Sequence, residues 1–314
     1  MPISAIEERI GLDAEDFAQG FVLQHRPVIL RGAIAHWPAV HRWSPEYLRK
    51  AVAGSKIVIK SKSDYGGSGS KRHSEDSKEV DFAEVVDMMT RDDAPDMSYA
   101  RQTKVWKDIP QLAADVESLA YAPVNIAKVD GSLWVGPTGT VAQMHWDPAH
   151  NLFAQIRGKK KWILVSPSES HLTYGNKFSL EQIVNDSRVR ARFPALVEKI
   201  ERAMLLSGDV GELVDSHLND TERRLIYSWL AQLNNCDVNA ENPDPEKTPL
   251  FMDAHRYEGE LTSGDLMFIP YGWRHYVRSM SPSVSLNWFF LPEQGLPPEL
   301  NINRTLREHL VGAS

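Results

Sequence analysis

The stretch MHWDPAHNLFAQIRGKKKWILVSP, residues 144–167, decides the fold class. It begins with His145 and Asp147, whose side chains point to the same face of a β-strand because side chains alternate along a strand. Two apolar runs follow, NLFAQIRG and KWILVSP, and a Gly-Lys turn separates them. The pattern predicts a pair of buried strands that carries two potential metal ligands at its start.

Similar short apolar runs, broken by Gly, Pro and Asn, make up most of the chain from Ser132 onward. They include SLWVGPTGT, GELTSGDLMFIPYGW, HYVRSM and SVSLNWFFLP. Short strands with frequent turns are typical of an antiparallel sandwich or barrel. Residues 178–235 have a helical pattern instead, and DTERRLIYSWLAQLN within them has one broad apolar face. The sequence therefore predicts a mainly β core with surrounding helices and an inserted helical block.

Composition limits the classes of function. The 314 residues carry a formal net charge of -7, so no overall basic field would attract nucleic acid, and we expect nucleic acid not to be a partner. Cys236 is the single cysteine, which excludes an internal disulfide and a thiolate zinc site. No apolar window approaches the roughly 20 residues that span a bilayer, so we expect a cytoplasmic protein without a membrane partner.

A third metal ligand is expected from a later strand, and PYGWRHYV offers His275. Two imidazoles and one carboxylate on an octahedral ion leave open positions, as in non-haem Fe(II) oxygenases. An H-x-D triplet alone is weak, because a lone strand histidine is more often a hydrogen-bonded core residue. Lys160 adds weight, since an ammonium on a buried strand needs an anionic partner, which a dicarboxylate cosubstrate would supply.

With these motifs in place, the chain resembles the cupin-like JmjC family of 2-oxoglutarate oxygenases. That family includes the asparaginyl hydroxylase of hypoxia-inducible transcription factors and several small JmjC hydroxylases. The resemblance covers nearly the whole chain and rests on four segments: RPVILRGAIAHWPAVHRWS, HWDPAHNLFAQIRGKKKWILVSPSE, ENPDPEKTPLF and GDLMFIPYGWRHYVRSMSPSVSLNWFF. It implies a double-stranded β-helix, the jelly-roll core of cupins, with helices around it.

The resemblance also implies how one domain over residues 1–314 is organised. We expect N-terminal α/β elements in residues 1–125, a β-helix core in 126–177 and 236–292, a helical insertion in 178–235 and a C-terminal helix in 296–311. The role of the insertion stays open: it could select substrates at the mouth of the site, or it could pack on the outside or form a dimer contact. The C-terminal helix, PPELNINRTLREHL, is amphipathic and would suit a homodimer contact.

Carried over by position, the resemblance makes His145, Asp147 and His275 the iron ligands. Lys160 matches the lysine that pairs with the far carboxylate of 2-oxoglutarate. Tyr99, in MSYARQT, matches a tyrosine that donates to the same carboxylate.

Four further positions bear on the pocket that the resemblance implies. Asn151 and Asn287 match polar residues that line the iron and cosubstrate pocket. Ala142 is a departure, because the family's asparaginyl hydroxylase has a threonine three positions before the first histidine, where it also touches the far carboxylate. Thr140 is near, but we expect its side chain to point elsewhere.

The activity implied is an Fe(II)- and 2-oxoglutarate-dependent hydroxylation that uses O2 and yields succinate and CO2. A protein or peptide side chain is the leading substrate class. The alternatives are hydroxylation of a small molecule or a tRNA base, lysine demethylation, and a metal-binding cupin without oxygenase activity. Trp273 stays open, because lining of the substrate pocket and sheet packing are given near-equal weight. His150 is predicted not to be a ligand, since it falls on the strand face opposite His145.

Overall fold

The computed structural model describes residues 2–60, 77–91, 99–122, 131–147, 149–175, 184–185, 187–206 and 236–290. The chain forms two compact units. The first combines Met1–Tyr174 with Asp237–Phe290, and the second combines Gly175–Cys236 with Leu291–Ser314. The predicted C-terminal helix at 296–311 and the amphipathic segment at 220–234 lie outside the described residues, so both stay predictions.

Strands dominate the first unit, and they are listed here in chain order: β1 (Ile3–Ala5), β2 (Glu8–Ile10), β3 (Val28–Arg31), β4 (Lys56–Lys60), β5 (Ser77–Asp81), β6 (Tyr99–Lys104), β7 (Ser132–Gly136), β8 (Val141–His145), β9 (His150–Arg157), β10 (Lys160–Val165), β11 (Arg256–Leu261), β12 (Leu266–Ile269), β13 (Arg274–Ser279) and β14 (Ser283–Phe290). The run from β8 to β10 is the stretch that opened the sequence analysis, and it folds into strands as predicted.

The strands form two sheets. One has the order β1-β11-β10-β13-β8, and the other has the order β2-β3-β12-β9-β14-β7-β6-β4-β5. From β7 to β14, successive strands alternate between the two sheets, except that β10 and β11 are neighbours in the first sheet. This alternation is the topology of a jelly roll, so the predicted double-stranded β-helix core with surrounding helices is confirmed.

Helices flank the β core near the N-terminus. They are α1 (Ala14–Phe17), α2 (Pro38–Arg42), α3 (Pro45–Ala51), α4 (Phe82–Thr90) and α5 (Val105–Asp108), with a π-helical turn at Ala18–Val22 and 3-10 turns at Pro110–Asp115, Pro167–Thr173 and Pro249–Met252. Asp13 and Ser44 cap α1 and α3, because their side chains accept hydrogen bonds from backbone N–H groups of the first turn.

The apolar face of α4 buries Phe82, Val85, Val86 and Met89. They belong to a large core that these helices share with β7, β9, β12 and β14.

A second apolar core contains residues from both sheets, including Phe153, Trp162, Leu164, Met267 and Val277. Trp162 and Leu164 lie two apart on β10, so they share one face of the strand with Lys160. Burial of this face places Lys160 in the same interior.

The second unit contributes helices α6 (Ser187–Arg192) and α7 (Pro194–Leu206) among its described residues. In α7, Leu196, Val197 and Ile200 are buried, at the spacing of one helix face. These helices lie within the predicted helical insertion.

Candidate metal and cosubstrate site

The three predicted metal ligands lie together at the ends of two neighbouring strands. His145 ends β8, and its backbone pairs directly with that of His275 on β13. Asp147 follows β8 by two residues. One ligand atom from each of the three side chains lies within 4.8 Å of the other two, and Nε2 of His275 is 3.4 Å from Oδ2 of Asp147. Strand pairing thus brings together groups that are far apart in sequence.

Both imidazoles are held in one tautomer by their own strands. Nδ1 of His145 donates to the backbone carbonyl of Gln143 at 2.6 Å, and Nδ1 of His275 donates to the carbonyl of Trp273 at 3.0 Å. A carbonyl oxygen only accepts, so the hydrogen of each neutral ring is on Nδ1. Each Nε2 therefore presents its lone pair, which is the form that a metal requires.

The donor set suits one divalent ion. Two ligand atoms that each lie about 2.1 Å from an ion, at right angles, are about 3 Å apart. The separation of 3.4 Å between His275 and Asp147 is close to this value. Two neutral nitrogens and one carboxylate on one side of an octahedral ion match the arrangement found in non-haem Fe(II) proteins. The residues present therefore fit an iron ion.

Lys160 is a buried cation, as predicted. Its residue is 8% exposed, and burial lowers the pKa of its ammonium to about 7. Nζ lies 5.0 Å from the ring centroid of Phe153. No acidic side chain among the described residues pairs with Lys160, whereas its neighbours Lys159 and Lys161 form surface ion pairs with glutamates. An anion brought by a ligand would relieve the cost of this charge.

Lys160 faces a small cavity that is partly open to solvent. The cavity is lined by Trp134, Val135, Gly136, Thr140, Ala142, Lys160, Val277 and Ser279. Ala142 thus lines the same space as Lys160.

The expectation for Thr140 was wrong, because Thr140 also lines this cavity. It lies just before β8 and two residues before Ala142, which is one full strand period, so both positions share a side. Its hydroxyl nevertheless donates to the carbonyl of Pro137 at 2.8 Å.

A β-bulge explains how Ala142 and His145, three residues apart, both contribute to the interior. His275 pairs with His145, but Val277 pairs with Ala142. Two residues of β8, Gln143 and Met144, therefore stand opposite one residue of β13. In a regular strand, side chains three positions apart point to opposite sides of the sheet. The extra residue in the bulge brings Ala142 and His145 to the same side.

Asn151 and Asn287 form a buried pair beside the cavity wall. Nδ2 of Asn287 donates to Oδ1 of Asn151 at 2.9 Å, and Nε1 of Trp134 donates to Oδ1 of Asn287 at 2.8 Å. Trp134 lines the cavity, whereas neither asparagine does. The structure thus joins the two asparagines to each other and to Trp134. Their direct contact with a cosubstrate stays a prediction.

Tyr99 begins β6, which pairs with β7, and β7 carries the cavity residues from Trp134 to Gly136. Its side chain lies outside the described part of the structure, so its assignment to the far carboxylate stays a prediction.

Two aromatic positions have structural roles. Trp273 packs edge-on against Tyr257, and its Nε1 donates to the carbonyl of His25 at 3.0 Å, which favours the packing interpretation. His150 is fully buried, and its Nδ1 accepts from the N–H of Tyr271 at 2.9 Å. Burial, and then the nearby His25, lower the pKa of His150 to about 3. His150 lies outside the group of candidate ligands, as expected.

Five residues of the cavity lining were missed from the sequence, and two of them, Ser279 and Trp134, carry polar side-chain atoms. Strand period alone would have found Ser279, because it lies four residues after His275 and therefore on the same face of β13. Trp134 carried no comparable signal, since a tryptophan on a strand is ordinarily core packing.

Comparison with known proteins agrees with this geometry. The model of the cupin-like domain family matches residues 14–295. Lysine-specific demethylase 8 of Xenopus tropicalis is 24% identical, over 88% of this chain and 50% of that protein. The bifunctional peptidase and (3S)-lysyl hydroxylase JMJD7 of Homo sapiens is 22% identical, over 89% of this chain and 82% of that protein. The tRNA wybutosine-synthesizing protein 5 of Homo sapiens is 23% identical, over 94% of this chain and 80% of that protein.

The chain spans about half the length of several curated relatives that it matches. Among the described residues, no helix is long and apolar enough to cross a membrane. The family match covers most of the chain, and its relatives include JmjC-domain proteins. This protein therefore belongs to the cupin-like domain family, and it is similar to JmjC-domain proteins.

Proposed function

We propose that this chain is an Fe(II)- and 2-oxoglutarate-dependent oxygenase that hydroxylates a protein or peptide side chain. The observation that carries the proposal is the combination of two sites in one barrel interior. One ligand atom of His145, Nε2 of His275 and the carboxylate of Asp147 converge at one end of β13. Further along the same strand lies a cavity with the buried ammonium of Lys160.

In this proposal the two histidines and Asp147 hold Fe(II), and Lys160 holds the far carboxylate of 2-oxoglutarate. On β10 and β13, Leu164 pairs with His275 and Lys160 pairs with Ser279. The metal end of the site, at His275, and the carboxylate-binding end, at Lys160, are therefore four residues apart, about 13 Å along the strands. This distance leaves room for the side chains and a five-carbon dicarboxylate between them.

Iron and 2-oxoglutarate would supply the oxidising chemistry, with O2 consumed and succinate and CO2 released. The protein's own groups have simpler tasks. The carbonyls of Gln143 and Trp273 keep both imidazoles ready to bind, the charge of Lys160 orients the dicarboxylate, and Trp134 forms an apolar wall that limits water. Tyr99, Asn151 and Asn287 are proposed as further cosubstrate-pocket residues.

A protein or peptide substrate is favoured by the names of the relatives, which include a lysyl hydroxylase and a lysine-specific demethylase. Demethylation uses the same metal and cosubstrate, so methylated lysine peptides belong in the same screen. A tRNA base is the second candidate, because one relative is named for tRNA wybutosine synthesis. The net charge of -7 argues against this candidate, since RNA binding is dominated by contacts to phosphates.

The first test is anaerobic visible absorption of the purified protein with Fe(II) and 2-oxoglutarate. A charge-transfer band is expected from chelation at the site, and Asp147→Ala should lack it because one ligand is removed. Glu258→Ala is a matched control, as it removes a surface carboxylate near Lys161 and should keep the band. A wild-type protein without the band would contradict the proposal and favour a metal-binding cupin that is not an oxygenase.

The substrate class is tested by succinate release. Peptides containing lysine, methylated lysine or asparagine, and bulk tRNA, are each added to the iron-loaded protein under air. Release stimulated by a peptide, together with a mass increase of 16 Da or the loss of a methyl group, separates hydroxylation from demethylation. Stimulation by tRNA alone would overturn the assignment to a protein or peptide.

A further inference from the structure

Resting on the function proposed above, we propose that Ser279 is the second donor to the far carboxylate of 2-oxoglutarate, beside Lys160. Ser279 in this chain would supply the hydroxyl that position 142, an alanine, does not have. The inference concerns the anchoring end of the site and is separate from the metal ligands.

Strand register places Ser279 and Lys160 side by side. The two residues are direct partners in the pairing of β10 with β13, and both line the same cavity. Directly opposite residues in an antiparallel pair have Cβ atoms about 5 Å apart. An anion held by the lysine ammonium is therefore within reach of the serine hydroxyl. Both residues are buried, with 8% exposure for Lys160 and 4% for Ser279.

The backbone of Ser279 is already satisfied. Its N–H donates to the carbonyl of Thr140 at 2.9 Å, and its own carbonyl accepts from the N–H of Gly139 at 2.8 Å. These two bonds fix the end of β13 against the turn before β8. The side chain is thus held at the cavity by a rigid backbone, which lowers the cost of ordering a hydrogen bond to a ligand.

The proton of Ser279 is available, whereas that of Thr140 is not. Thr140 donates its hydroxyl proton to Pro137, so it has none left for a carboxylate. Within the described ranges, no hydrogen bond occupies the hydroxyl of Ser279. Ala142 and Val277 complete this part of the lining without polar side-chain atoms. Lys160 and Ser279 are therefore the donors that the described cavity offers to a carboxylate.

Binding of two keto acids to the Mn(II)-loaded protein tests the inference without turnover. 2-Oxoglutarate has the far carboxylate, and 2-oxobutyrate has the same chelating group without it. Because a hydrogen bond to a charged group is lost, Ser279→Ala should bind 2-oxoglutarate about tenfold more weakly by calorimetry. Its affinity for 2-oxobutyrate should equal that of the wild type.

A matched control is Ser285→Ala, which removes a buried hydroxyl that bonds to Gln155 rather than to the cavity. It should leave both affinities unchanged. Ala142→Thr in the Ser279→Ala background returns a hydroxyl to the same cavity and should restore part of the affinity for 2-oxoglutarate. If Ser279→Ala does not fold, Ser279→Cys keeps the volume and replaces the hydroxyl by a weak donor.

The outcomes separate the two proposals. Weaker binding of 2-oxoglutarate alone, with recovery on adding Ala142→Thr, supports the role of Ser279. Equal binding of 2-oxoglutarate by the wild type and Ser279→Ala overturns that role and leaves the proposed function standing. Equal weakening of both keto acids also overturns it, because the effect would then lie at the metal. A wild type that binds neither keto acid overturns the proposed function itself.

Discussion

Replacing Lys160 by methionine should make the ligand-free protein more stable. In the unfolded chain this lysine has its ordinary pKa of 10.5, whereas burial lowers the pKa to about 7 in the folded chain. At pH 7 this difference corresponds to a cost of about 4 kcal/mol for the buried lysine, at about 1.4 kcal/mol per tenfold change. Methionine loses the contact of the ammonium with Phe153, about 1 kcal/mol, so a net gain of about 3 kcal/mol is expected.

The stability that Lys160→Met gains over the wild type should decrease as the pH rises. Between about pH 7 and pH 10.5 the unfolded state binds more protons than the folded state, so the stability of the wild type rises with pH in this window. In Lys160→Met, residue 160 does not titrate, so it adds no pH dependence to the stability of the variant. Its advantage should therefore be near its maximum at pH 7 and fall to about 1 kcal/mol at pH 10.

Urea unfolding of the metal-free protein, followed by tryptophan fluorescence at the two pH values, measures the effect. Lys161→Met is the matched control, because Lys161 is on the same strand but is part-exposed and paired with two glutamates. It should cost at most about 1 kcal/mol. A Lys160→Met protein that is no more stable than the wild type at pH 7 would refute the view that this ammonium lies unpaired in an apolar interior.

Three further perturbations test the scaffold. Asp265→Asn should cost roughly 3 kcal/mol in urea unfolding, because Oδ2 of this buried carboxylate accepts from Arg31 and from two groups of Thr262; unchanged stability would contradict this. Gly158→Ala should lower the melting temperature sharply, since φ is +79° and a Cβ would lie 2.1 Å from a backbone carbonyl. The pKa of His150 is about 3 in the folded protein and 6.5 in the unfolded chain, so between these pH values the unfolded state binds more protons. The free energy of unfolding of the wild type should therefore fall as the pH is lowered from 6.5 to 3. His150→Phe should make the free energy of unfolding depend less on pH in this range.

Much of the site was predictable because side chains point alternately to the two faces of a strand. His145 and Asp147 had to share a face, and the apolar neighbours of Lys160 indicated that its ammonium was buried. An antiparallel β sandwich or barrel was predicted from short apolar runs with frequent turns, whereas the jelly roll was implied by the family resemblance. These features depend on local pattern, which a single sequence carries directly.

Features that depend on register between strands were not predictable. The pairing of Lys160 with Ser279 requires knowledge of where β10 and β13 align. The imidazoles are oriented by hydrogen bonds to backbone carbonyls. Because every residue type has the same backbone carbonyl, the sequence does not indicate these acceptors. The contact of Asn287 with Trp134 likewise joins two strands far apart in sequence. None of these contacts leaves a residue pattern that sequence reasoning can detect.

The bulge in β8 has a consequence for changes in chain length. Removing one residue at Gln143 or Met144 would convert the bulge to regular pairing, and Ala142 would still face the interior. Deleting Gln143 would remove the carbonyl that accepts from Nδ1 of His145, and deleting Met144 would move that carbonyl one position closer to the histidine along the chain. A deletion at this point should therefore preserve folding while weakening metal affinity, whereas a deletion elsewhere in β8 would turn the strand over.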